Sequence, residues 1–392
     1  MPPNALKERA IDTTCEYEED HTITSNQQID YLKAQQKKLP TDLVEVCRHL
    51  PKDIFQIRPF RAYLAAFQAV GMTALSLYLL TFCHSWWSLC IGWAFAGTCA
   101  TGMFIIGHEC AHGAFSKSSL ENAFVGTIVM APLGWTYHGW RITHNHHHAY
   151  TNQINKDHLW SPLDHEMVAN TSNAVLKVLE YFYVGPLFFE SSILHHFANL
   201  NIFIFPKRHW KNLISSNLFA LAATLGLWYH FYYNLDNGDS GWWAVFKYWG
   251  APYLCFNFWL STHTYFHHKS RDIGWIEKAN WNKAQAQLFH TAHVDYHPIV
   301  EMLHFDINWH VPHHVSTRIP WYNLRRATFA LIKAYGDKIH TYEMSPTYWM
   351  EVTSECHVHD DVSKYVSVGE SKERSEREKQ IASMEARKTK TN

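Results

Sequence analysis

The chain has no excess of charge of either sign. Its 34 Lys and Arg stand against 35 Asp and Glu, a formal net charge of −1. No polyanion partner is therefore implied, and no nucleic-acid partner is expected. Cysteine is scarce, with eight in 392 residues and no CxxC pair. That pattern argues against a disulfide framework or a zinc finger, and reduced thiols buried as small hydrophobes are expected instead. A secretory signal peptide is also missing from the first sixty residues, which are polar and include the acidic stretch Glu16–Asp20. Targeting is expected to use an internal membrane span.

The apolar residues are gathered in runs. Tyr63–Cys83 and Trp86–Gly107 carry no charged residue, and each has 21 or 22 residues. That is long enough to cross a hydrocarbon core of about 30 Å. Leu213–Tyr233 reads as a third span. Trp242–Tyr265 reads as a fourth, weakened by Lys247 and Pro252. Ala123–Trp135 is too short to span, so it is re-entrant, interfacial or packed in a polar domain. Tyr181–Phe205 is broken by Glu190, His195 and His196 and reads as an interfacial helix.

The expected fold is an all-α integral membrane protein, with four transmembrane helices in two hairpins and a cytosolic helical cap. Residues 1–49 read as a polar segment without fixed structure, 50–345 as the functional domain and 346–392 as a charged tail. An even span count puts both termini on one side. Lys33, Lys37, Lys38, Arg48, Lys52, Arg58 and Arg61 crowd the segment before the first span, whereas Asn234–Gly241 has no Lys or Arg. By the positive-inside bias the termini are cytosolic.

Carboxylates are few where histidines are many. His108 and His112 are spaced i, i+4. His144, His147 and His148 are spaced i, i+3, i+4, and His310, His313 and His314 repeat that spacing. On a helix such spacings put imidazoles on one face, and neutral imidazole ligates iron, zinc, copper and nickel. His267 and His268 stand at the end of the fourth span. The three groups supply eight imidazoles and His267 or His268 could make nine, more than one metal uses, so two metals are expected. A ferritin-like site would need Glu and ExxH pairs that this region lacks. Asp306 and Asn308 are the expected partners that orient imidazoles. Pro312 suits a first helical turn, with His310 just before the helix.

On these residues the chain resembles the membrane fatty-acid desaturases, most closely the plastid and cyanobacterial omega-6 (Δ12) group. The resemblance rests on His108-x3-His112, on His144-x2-His147-His148 with Thr151-Asn152, and on His310-x2-His313-His314. Trp281–Leu288 (WNKAQAQL), Asp306–Arg325 and Leu50–Asp53 also look like that group. It implies a diiron centre held by the eight box histidines and His268, with His267 and His146 as alternative ligands. It implies no catalytic side chains beyond the ligands. It also implies an acyl-lipid substrate in a kinked tunnel, dioxygen as co-substrate, and two electrons from a separate carrier, ferredoxin or cytochrome b5. Two hydrogens leave and a cis double bond remains, converting an oleoyl chain to linoleoyl.

The chain departs from the group in reading HECAH where HDCAH is usual, and HNHHH where HDRHH is usual. Asn145 and His146 thus replace an acid and a base. No transit-peptide-like N-terminus and no HPGG haem motif are seen. The end Lys388-Thr-Lys390-Thr-Asn resembles a dilysine endoplasmic-reticulum retrieval tail; otherwise a cyanobacterial-type or plastid-related membrane is implied. The rivals are a hydroxylase, acetylenase or epoxygenase on the same boxes, an intramembrane zinc protease reading HECAH as H-E-x-x-H, and a metal transporter. The protease leaves two clusters unexplained, and the transporter would need ionisable groups within the spans.

Overall fold

The computed structural model describes residues 39–184, 191–235, 237–360 and 364–391. Most of the polar N-terminal segment, the Glu190 break, Asp236 of the acidic turn and the terminal Asn392 lie outside those residues.

Helix α1 (Pro59–Leu80) opens on a proline, whose missing N–H has no partner to lose in a first turn. Helix α2 (Trp86–His112) opens on Ser85 and Ser88, each side chain capping the other's backbone N–H, and closes at Gly113 with φ 70°. These are the two described helices long and apolar enough to cross a membrane. Only 22% of the apolar window of α1 is buried, against 72% for α2. So α1 is peripheral and turns Phe60 and Phe67 outward, while α2 forms the centre of the bundle. Helix α3 (Ser119–Met130) is the short apolar run, and it too exposes Leu120 and Phe124. Helix α4 (Tyr137–Tyr150) carries the second histidine group.

The third and fourth expected spans are helical but more polar. Helix α5 (Trp210–Tyr233) has 24 residues and includes Lys211, Asn212, Asn217 and His230. The fourth is interrupted. A short helix, Gly241–Val245, passes through a π-helical turn, Phe246–Gly250, into α6 (Ala251–Phe266), with Pro252 in its first turn. Lys247 folds inward, and its Nζ meets Asp239 at 2.8 Å. Helix α6 crosses α2 closely: a Cβ on Gly97 would lie 2.3 Å from the Cys255 Cβ, so glycine is required there.

Two small sheets correct the all-helical expectation. β1 (Ala292–Asp295) pairs in parallel with β2 (His340–Glu343), and β3 (Val358–Asp360) pairs antiparallel with β4 (Lys364–Val366). β1 falls between α6 and the third histidine group. Its backbone is used by the histidine segments: Ala292 N donates to His267 O at 2.8 Å, and Val294 N to Asn308 O at 3.3 Å. Helix α7 (His310–Val315) carries the third group, and it starts at His310 rather than after it.

The segment after Pro346 is partly packed. Val352, Cys356 and Val358 are fully buried, and only the final helix, Val368–Thr391, is largely solvated over its described side chains. The seven described cysteines are free thiols, although Cys90 is exposed.

Candidate metal centre

Four elements deliver histidines to one place: the end of α2, the face of α4, the residues after α6, and α7. All nine expected ligands converge, in two groups. The ligand atoms of His108, His112, His144, His148 and His313 lie within 4.8 Å of one another, as do those of His147, His268 and His314. His310 joins the second group, its Nε2 3.0 Å from His268 Nε2. The groups meet where His148 and His314 stack, with ring centroids 4.0 Å apart.

The donor chemistry fits cations. Nε2 atoms face Nε2 atoms: His144 and His148 at 3.1 Å, His148 and His313 at 3.2 Å, His147 and His268 at 3.2 Å. Two neutral imidazoles in such a pair offer one proton at most. Further buried ring nitrogens have no hydrogen-bond partner, among them His108 Nδ1, His112 Nε2 and His314 Nε2. Buried polar atoms are normally satisfied, and a cation in each group would use these lone pairs.

Burial, then the neighbouring histidines, hold the imidazoles of His144, His148, His268, His313 and His314 well below their ordinary range, and His310 at about 3. They stay neutral, the form that ligates. The sign for stability follows. The unfolded chain takes up protons below about 6.5, and the folded metal-free chain does not. Stability from these groups is therefore complete above about 6.5 and lost as pH falls from there towards the folded values. Each imidazole can remove up to about 1.4 kcal/mol per pH unit in that window. We expect the thermal midpoint of the metal-free protein to drop between pH 7.5 and 5.5; a midpoint unchanged across that range would contradict the burial of the cluster.

Two side chains set the tautomers. Asp157 receives the Nδ1–H of His147 at 2.8 and 2.9 Å, and is itself held by Asn152 N at 2.8 Å and Leu159 N at 3.0 Å. This leaves His147 Nε2 as a bare lone pair. Gln287 Oε1 receives His314 Nδ1–H at 2.7 Å and the Thr151 hydroxyl at 3.0 Å, while Gln287 Nε2 donates to His148 O at 2.8 Å. Trp281 Nε1 donates to Thr151 O at 2.9 Å. The block WNKAQAQL thus braces the second and third groups together.

The structure puts the expected orienting residues elsewhere. Asp306 accepts from Arg325 at 2.6 and 3.0 Å, and Asn308 donates to Val294 O and Glu301 Oε1. The reason is local: Phe305 and Asp306 sit at positive φ (50° and 54°), and that turn aims Asp306 at the exposed Arg325. Asp157 lies 10 residues beyond His147 in sequence, and nothing in that spacing ties the two side chains together. His146 stands off the cluster, stacked on His158 at 5.0 Å. His267 is buried and stacks on His310 at 4.3 Å, its Nε2 without a partner. Glu109, the base that a protease would need, accepts from Trp321 N at 3.0 Å and fastens two chain segments.

A cavity of about 390 Å³ runs beside the histidines. Trp135, Trp140, Trp160 and Leu260 give it a largely apolar surface, interrupted by Thr143, Ser192 and Asn199, and its wall includes His144 from one group and His147 from the other.

Comparison with known proteins agrees with this chemistry. A family model described as fatty acid desaturase matches residues 84–346. An sn-1 oleoyl-lipid 12-desaturase of Picosynechococcus sp. is 34% identical over 85% of this chain and 94% of its own length. An sn-1 oleoyl-lipid 12-desaturase of Anabaena variabilis is 36% identical over 81% of this chain and 89% of its own. A chloroplastic omega-6 fatty acid desaturase of Spinacia oleracea is 35% identical over 84% of this chain and 72% of its own. With three histidine groups gathered into one buried cluster and the family match spanning most of the chain, the protein belongs to the fatty acid desaturase family.

Proposed function

We propose that the protein is a Δ12 (omega-6) acyl-lipid desaturase, an oxidoreductase that converts oleoyl to linoleoyl chains. The observation that carries this is the apolar cavity whose wall holds His144 and His147, one imidazole from each group. A methylene chain lying there passes both groups at once. The relatives named above act, by their names, on oleoyl lipid or at the omega-6 position.

In this reading one iron is held by His108, His112, His144, His148 and His313, and the other by His147, His268, His310 and His314. Bound there, the two irons supply dioxygen activation and the oxidising power to remove two hydrogens from neighbouring methylenes. The chain's own residues do the rest. Trp135, Trp140 and Leu260 keep the acyl chain in a water-poor slot, and positioning rather than binding strength selects the carbon. Asp157 and Gln287 fix which nitrogen of His147 and His314 faces the metals. The two electrons come from a separate carrier, ferredoxin or cytochrome b5.

In this reading the domain spans residues 50–345. It sits in the membrane as four passes, α1, α2, α5 and the run ending in α6, with both termini cytosolic. Trp86 and Trp87 at the start of α2, and Trp242 near the loop before α6, are exposed at the ends remote from the histidines, as interfacial aromatics would be. Ser240, exposed in that loop, should react as Ser240→Cys with an impermeant thiol reagent from the non-cytosolic side only. Labelling from the cytosol alone would remove the four-pass arrangement.

The test of function is expression in a host that makes no polyunsaturated lipid, followed by mass spectrometry of derivatised acyl chains. Linoleoyl is the expected product. A 12-hydroxy product from oleate would point to the hydroxylase, and a dominant Δ9 product from stearate would overturn the bond position.

A further inference from the structure

The acyl cavity has an exposed mouth and a buried floor. His158, Ala198 and Ile204 line it where the surface is open. Trp135 and Asn199, 1% and 0% exposed, line it inside. A lipid headgroup is polar and stays at the open mouth, in contact with water, so the methyl end of the chain is the end that reaches the floor.

Beyond that floor lies a second cavity, of about 60 Å³, between α1, α2, α5 and α6. Its lining is almost wholly apolar and includes Ala100, Met103, Leu133, Trp249 and Phe256. The π-helical turn Phe246–Gly250 contributes Tyr248 and Trp249 to it. A lining of that kind stays dry although the volume is several times the roughly 10–15 Å³ that one water needs.

No residue lines both cavities, so the wall between them is two side chains deep. On one strand of chain, Leu133 lines the second cavity and Trp135 the first. On α6, Phe256 lines the second and Leu260, one turn later, the first. Trp135 and Phe256 meet edge to face at 6.2 Å, and Phe104 closes on both at 5.1 and 5.6 Å. We infer that Trp135, backed by Phe256, is the stop that meets the methyl end of the acyl chain and so limits chain length, and that the cavity behind the pair is room for the extra carbons of a longer chain once both rings are removed. This rests on the acyl-desaturase reading above.

The full-length protein, expressed in membranes as for the function test, is given lipids carrying 18-carbon or 20-carbon chains, both with a cis Δ9 bond. The 20-carbon chain has two more carbons beyond the histidines. One methylene in an apolar pocket changes selectivity by roughly 10- to 200-fold. The double variant Trp135→Ala, Phe256→Ala should therefore raise the ratio of 20-carbon to 18-carbon diene by about tenfold or more. Adding Ala100→Phe, which refills the second cavity, should lower that ratio again. A second readout needs no turnover: a 20-carbon chain should displace a fluorescent acyl analogue from the metal-free variant more strongly than from the metal-free unmodified protein. Should the double variant fail to accumulate, Trp135→Leu gives the same comparison with a smaller opening. Unchanged ratios in a variant that still desaturates oleoyl lipid overturn the inference and leave the function standing. Failure of the unmodified chain to desaturate oleoyl lipid overturns the function and the inference together.

Discussion

His147→Ala and His313→Ala are each expected to abolish desaturation and to lower bound iron from about two per chain, the number that two imidazole groups of this size imply. The two substitutions strike different groups. His313 belongs with His108, His112, His144 and His148, and His147 with His268 and His314. Neither site can replace the missing donor, because the nearby carboxylates are already engaged: Asp157 on His147 and Glu109 on Trp321 N. His146→Ala is the contrast. Its ring stacks on His158 and Tyr150 away from the cluster, so most activity and all the iron should remain. Elemental analysis of purified protein, paired with product analysis, decides. An inactive His146→Ala beside an active His147→Ala would mean the ligand register along α4 is displaced by one residue. A single zinc and no iron would favour the protease.

Asp157→Ala is expected to weaken metal retention or activity by roughly 10- to 100-fold, the usual effect of removing the partner that orients a ligating imidazole. The carboxylate takes the His147 Nδ1–H and is locked by two backbone N–H groups. Without it the ring is free to rotate and to protonate on the nitrogen that should face the metal. Gln287→Leu should act likewise on His314, with less effect because a neutral amide orients more weakly than a carboxylate. Asp306→Asn is the control. Its loss touches the partly exposed Arg325 pair, so metal binding should be unchanged. Competition with a chelator separates the three; if Asp157→Ala holds iron as firmly as the unmodified chain while Asp306→Asn loses it, the orienting roles assigned here are reversed.

The sequence alone determined the histidine groups and the apolar α1 and α2. Both are local periodicities: i, i+3, i+4 spacings put imidazoles on one helix face, and charge-free runs over 20 residues long write a span into the chain. The identity of the orienting residues was not local. Asp157 reaches His147 because the chain turns through Asn152 and Asn155, both at positive φ. Gln287 reaches His314 because the short helix Lys283–Phe289 packs beside α7. Asp306, nearer in sequence to the third group, is turned to Arg325 by the same kind of backbone reversal. The interruption of the last apolar run was legible in Lys247 and Pro252, but its form, a π-helical turn whose buried Lys247 pairs with Asp239, was not. The division of nine histidines into five and four, and the two cavities parted by Phe256 and Trp135, exist only where four helices meet. Spacing along one helix fixes which side chains share a face, whereas packing between helices fixes which faces share a metal and how far an acyl chain can slide.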